Sequence, residues 1–131
     1  MKKLKFVLFF ILAVTAVNVF AATDSKQWID KTHYFTYDFV KKPKIGPAIL
    51  KVQIFNSENV QDNKSFEIKG VYFMPTMKSA HYTENYFKIS KKGFYLLPVN
   101  FVMRGEWEIN LTFIDVKTKK DVYSEKFKIE I

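Results

Sequence analysis

The chain has 131 residues, no cysteine, two histidines and a formal net charge of +8, and 18% of it is aromatic. The missing cysteine excludes disulfides, thiolate metal sites, cysteine nucleophiles and lipid attachment at a cleavage-site cysteine. The positive charge is lysine scattered along the whole chain, which reads as solvated strand faces and loops and argues against a nucleic-acid partner.

Met1-Lys2-Lys3-Leu4-Lys5 is a basic start, followed by an apolar run from Phe6 to Phe20 that only Thr15 and Asn18 interrupt. Val19 and Ala21 supply small residues at the −3 and −1 positions of a cleavage site. The run falls short of the roughly 20 residues that span a bilayer comfortably. Residues 1–21 therefore read as a cleaved secretory signal peptide. The protein is expected to be periplasmic or secreted, with no stable membrane span after cleavage. Residues 22–32 are mostly polar with one tryptophan, Trp28, and read as a lead-in segment, and residues 33–131 as a single β-sandwich domain.

Short β-type runs then recur between turn signals. His33 to Phe39 is rich in aromatics and ends at the loop Lys41-Lys42-Pro43-Lys44-Ile45-Gly46-Pro47. Ile49 to Phe55 sets Leu50, Val52 and Ile54 on one face. Phe66 to Phe73 is a strand with Gly70 as a candidate bulge, and Tyr86 to Ser90 is a shorter one before the turn Lys91-Lys92-Gly93. The cleanest alternation comes next. Tyr95, Leu97, Val99, Phe101 and Met103 share one face, with Pro98 suggesting an edge or a bulge. Trp107, Ile109, Leu111 and Phe113 share one face of the following strand, and Arg104-Gly105 reads as a two-residue hairpin between the two. Val122 to Ile131 closes the chain. The pattern predicts an all-β fold, an immunoglobulin-like antiparallel β-sandwich of about seven strands.

One stretch concentrates potential chemistry. In Met74-Pro75-Thr76-Met77, Pro75 and Thr76 suit the centre of a β-turn, because proline presets the backbone of its first central position. That turn would hold the Cα atoms of Met74 and Met77 within roughly 7 Å. A short helical turn over Met77–Tyr82 would return His81 to the same face. Two thioethers and an imidazole form a soft-leaning donor set that suits Cu(I) and excludes magnesium or calcium. The same methionines also fit a core role, since Met fills irregular gaps at strand ends. Met103 likewise fits either a cap on the core beside Trp107 or a third sulfur at the same end of the sandwich.

Taken together, Gly70-x-Tyr72-x-Met74-Pro75-x-Met77, then Gly93-x-Tyr95 and Val99-x-Phe101-x-Met103-x-Gly105-x-Trp107-Glu108, resembles the YtkA-like and FixH-like exported bacterial domains. The similarity spans roughly Val52 to Phe113. It implies a small β-sandwich that handles copper, with Met74, Met77 and Met103 at the positions that favour metal and His81 as the nearest imidazole. It also implies a partner among the copper-transport, efflux or oxidase-assembly proteins of the envelope. Two departures stand out. In the group a histidine commonly follows the second methionine closely, whereas here Lys78-Ser79-Ala80 intervene. FixH-like proteins also keep a membrane anchor.

Three function classes compete. The first is an accessory domain binding a soft metal through Met74, Met77, His81 and Met103, with Cu(I) the favoured ion. The second is an interaction module of the cell envelope without metal, using a sheet edge or an aromatic face. An enzyme is disfavoured, because the chain shows no Gly-rich nucleotide loop, no nucleophile elbow around its serines and no identifiable carboxylate pair.

Overall fold

A computed structural model describes residues 23–77 and 81–131, so the signal peptide read at 1–21 lies outside the described residues. The strands are β1 (Thr23–Trp28), β2 (His33–Phe39), β3 (Gly46–Asn56), β4 (Phe66–Phe73), β5 (Thr83–Tyr86), β6 (Lys88–Ile89), β7 (Tyr95–Phe101), β8 (Glu106–Asp115) and β9 (Asp121–Glu130). They form two antiparallel sheets, ordered β1-β2-β3-β7-β6 and β5-β4-β8-β9. The expected β-sandwich is thus the observed fold. No helix among the described residues is long and apolar enough to cross a membrane.

Period-2 alternation builds the core. β3 sits inside the first sheet and β8 inside the second, and each buries one full face. Leu50, Val52 and Ile54 of β3 meet Trp107, Ile109, Leu111 and Phe113 of β8, and all seven are 0% exposed. Each such side chain contributes about 1.5–3 kcal/mol on leaving water. Aromatic rings interlock across the gap, with Phe35 and Phe113 at 4.5 Å and Phe101 and Trp107 at 5.3 Å between centroids. Phe113 and Ile114 are both buried although adjacent, because the β8–β9 register shifts between them.

Two tyrosines tie the sheets by hydrogen bonds in opposite senses. Tyr95 of β7 donates its hydroxyl to the Phe66 carbonyl of β4 at 2.7 Å. Near the other end, the Asn100 amide of β7 donates to the Tyr72 hydroxyl of β4 at 3.2 Å. Burial, reinforced by the charges of Asp62 and Glu67, pushes the Tyr95 hydroxyl well above its ordinary pKa.

Several local expectations need correcting. Among the described residues nine strands are present where about seven were read. The lead-in segment at 22–32 contains β1, which pairs with β2 through Gln27↔Phe35 and Trp28↔Tyr34. The run Tyr86–Ser90 is not one strand. β5 pairs with β4 in one sheet and β6 with β7 in the other, and buried Phe87 sits between them with its amide on the Ile68 carbonyl at 2.8 Å. The chain thus changes sheet at a single residue.

Arg104-Gly105 is likewise no two-residue hairpin. β7 and β8 lie in different sheets, and residues 102–105 cross from one to the other. Alternating faces look the same whether two strands pair side by side or stack across a core, so the pattern alone could not separate the cases. Gly70 forms no bulge, since the β4–β8 register runs unbroken from Phe66↔Asp115 to Phe73↔Glu108. It faces the opposite sheet, where an added Cβ would fall 2.6 Å from Leu97 Cδ2. Pro98 interrupts no ladder. β6 pairs with β7 only at Tyr95 and Leu96, which leaves the Pro98 flank open as on an edge strand.

Candidate functional site

Strand directions divide the sandwich into two ends. One end gathers the β2–β3 loop, Met74–Met77 with His81 and Tyr82, and the 102–105 crossing, as the partners Gly46↔Phe101, Tyr72↔Thr83 and Phe73↔Glu108 require. All four residues read as metal ligands fall at this end.

Met74 leaves β4 and opens the expected turn, with the Met77 amide donating to the Met74 carbonyl at 3.0 Å. Its side chain is 3% exposed and belongs to the core. The methyl packs against Gly105, where an added Cβ would fall 2.6 Å from Met74 Cε. Gly105 also has φ +136°, a region that residues with a Cβ avoid. Glycine at 105 therefore serves both the path of the crossing and the seat of Met74. Its amide and carbonyl exchange hydrogen bonds with Ile131 at 3.0 and 2.9 Å.

Met103 does not share the buried face expected for it. β7 ends at Phe101, and Met103 rides the crossing at 39% exposure. The crossing is held down because Trp107 Nε1 donates to the Met103 carbonyl at 3.1 Å. Met77, on the far side of its turn, is 38% exposed. His81 is exposed and adopts φ +64°, which ends any right-handed turn there. Residues 78–80 of the helical turn expected over Met77–Tyr82 lie outside the described residues. The His81 ring lies 6.0 Å from that of Trp107. The end therefore presents two reachable thioethers and an imidazole, with the Met74 sulfur sunk in the core beneath. Trp107, read only as a core residue, links His81 and the Met103 backbone. Its place in a Met-x-Gly-x-Trp run was the signal that could have revealed this.

The second histidine serves the opposite end. His33 Nε2 lies 2.9 Å from Asp62 Oδ2 and His33 Nδ1 2.8 Å from Thr32 Oγ1. Asp62 also accepts from the Ser65 hydroxyl at 2.7 Å and from the Lys64 and Ser65 amides at 2.8 and 3.1 Å. Burial pushes this carboxyl up, but those hydrogen bonds outweigh it and hold Asp62 at about 2. Asp30 is likewise lowered, its partial burial outweighed by hydrogen bonds from Thr32 and the His33 amide and by the imidazole. Ser65 gives its proton to the same carboxylate oxygen that meets His33, so the imidazole is not placed to activate it. This cluster clips the β1–β2 and β3–β4 loops together. Among the described residues, no three of His, Cys, Asp and Glu are grouped to hold an ion.

No family model matches the chain, and no curated protein matches its sequence. Among solved structures, the crystal structure of "as isolated" FetP from uropathogenic E. coli strain F11, recombinantly expressed in the periplasm of E. coli BL21(DE3), is similar. The alignment covers 87% of this chain and 97% of that one, at TM-score 0.58 and 6% identity. At that identity the likeness is one of fold.

Proposed function

We propose that this chain is a non-enzymatic, exported accessory domain that binds Cu(I) at the end carrying the Met-Pro turn. Met77, His81 and Met103 are the outer donors in this reading, and Met74 is an inner sulfur reached by a small repacking of the turn. The observation that carries it is the 102–105 crossing, which brings Met103 to the end where Met77 and His81 are exposed. Thioethers need no deprotonation and cannot form disulfides, which suits them to an oxidising compartment. A site of two or three ligands at the surface binds with modest affinity, fit for transfer to a copper-transport, efflux or oxidase-assembly protein of the envelope.

Competition against a Cu(I) chelator tests the reading. Wild type is expected to withdraw copper, Met77→Leu/Met103→Leu to compete at least about tenfold less well, and Zn(II) to be held more weakly than Cu(I). Leucine roughly conserves volume, so stability should change little. Met74→Leu, made separately, reports whether the inner sulfur ligates. The burial of Met74 favours the alternative, an envelope interaction module without metal. Equal competition by wild type and double variant would remove Met77 and Met103 from the ligand set, and no competition by either would overturn the metal reading in favour of that alternative.

A further inference from the structure

The end that carries the methionines has a second property, independent of metal. The β2–β3 loop projects Lys41, Lys42 and Lys44, all exposed, with Val40 at 53% and Ile45 at 45% exposure. Pairing of Gly46 with Phe101 sets this loop beside the crossing, which adds exposed Arg104 and Val102. Two grooves of about 280 Å³ flank the loop, one over Pro47 and Ile49 and one between Pro43, Arg104 and Glu130. Among the described residues none of the four cations forms an ion pair. Glu130 is the one carboxylate side chain lining either groove, and nearby Glu106 pairs with Lys128 at 3.9 Å. Cations and aliphatic side chains thus share one end, with Glu106, Glu108 and Glu130 on the β8–β9 side of it.

We infer that this end docks on an anionic lipid surface, Val40, Ile45 and Val102 entering the headgroup layer while Lys41, Lys42, Lys44 and Arg104 meet its phosphates. Two features favour lipid over an acidic protein. The cations are mostly lysine, flexible point charges suited to diffuse negative charge and lacking the bidentate geometry of arginine. Protein interfaces instead deplete lysine and centre on Tyr, Trp or Arg in a packed pocket, whereas the exposed apolar residues of these two loops, Val40, Ile45, Val102 and Met103, carry no aromatic ring and flank the cations along the chain. Basic residues near an anionic leaflet each add attraction that fades within a Debye length, and the few exposed apolar side chains keep binding shallow and reversible.

Co-sedimentation of the metal-free mature protein, beginning at Ala22, with vesicles tests this, using pure phosphatidylcholine against phosphatidylcholine mixed with phosphatidylglycerol. The leader read at residues 1–21 is left off because its lysines and apolar run would bind anionic vesicles by themselves. Wild type should bind the mixed vesicles more tightly than neutral ones, and less so as salt rises. Lys41→Glu/Lys42→Glu should lower partitioning into mixed vesicles by about tenfold or more. Val40→Ser/Ile45→Ser should lower it several-fold. All four substituted side chains are exposed, and an unchanged thermal melt confirms the fold. Indifference of vesicle binding to both pairs overturns the inference, as does polyglutamate binding as tight as that to mixed vesicles. Because no copper is present, neither outcome bears on the metal reading.

Discussion

At Gly70 one missing methyl group sets how closely the two sheets approach. An alanine Cβ would stand 2.6 Å from Leu97 Cδ2 and 3.0 Å from Phe87 Cε1, both in filled core. Gly70→Ala should therefore cost about 1–3 kcal/mol by overpacking, less whatever the better strand propensity of alanine returns. Chemical denaturation would show the loss, and an unchanged midpoint would mean that Leu97 moves freely. The sequence marked Gly70 as special and misread why, because a strand glycine signals a bulge and a close approach equally well. Methionine posed the same difficulty. Met74, Met77 and Met103 were singled out together, yet their exposures of 3%, 38% and 39% separate a core residue from two surface ones. Thioethers suit both settings, so composition could not divide them.

Elements with regular alternation were legible, and those that leave one sheet for the other were not. β2, β4, β8 and β9 lie where their aromatic and aliphatic periodicity placed them, and β3 begins earlier, at Gly46, inside the loop read at 41–47. Residues 83–89 and 102–105 change sheets, and no local pattern records which sheet a residue joins. The His33–Asp62 contact was illegible for a related reason, because its partners are 29 residues apart. This clip makes a prediction about pH. Hydrogen bonds hold Asp62 at about 2 in the folded protein, below its ordinary 3.8. A lowered folded pKa gives stability that is present above about pH 4 and is lost as pH falls towards 2. Asp62→Asn should be less stable than wild type at neutral pH, with the difference shrinking across that window. Melting temperatures of the two proteins at stepped pH would check this, and a constant gap would mean that the carboxylate charge contributes nothing.

On the scale of the whole molecule, the sandwich follows from composition and period, while its connectivity follows from where the chain crosses the core. Functional polarity follows too. Loops at one end carry thioethers, imidazole and cations that form no ion pair among the described residues, and loops at the other carry the His33–Asp62 clip. The change of sheet at Phe87 has a consequence for folding. Residues 83–89 supply β5 to one sheet and β6 to the other without a loop between them. Neither sheet can open along this segment without dragging on its counterpart, and β3 must wait for β7, whose pairing joins Gly46 to Phe101, before the first sheet closes. Such distant pairing slows folding and favours an all-or-none transition. Under native conditions, amide protons of β3 and β8 should exchange with one shared opening free energy. Two distinct values, one per sheet, would show that the Phe87 crossing does not couple them.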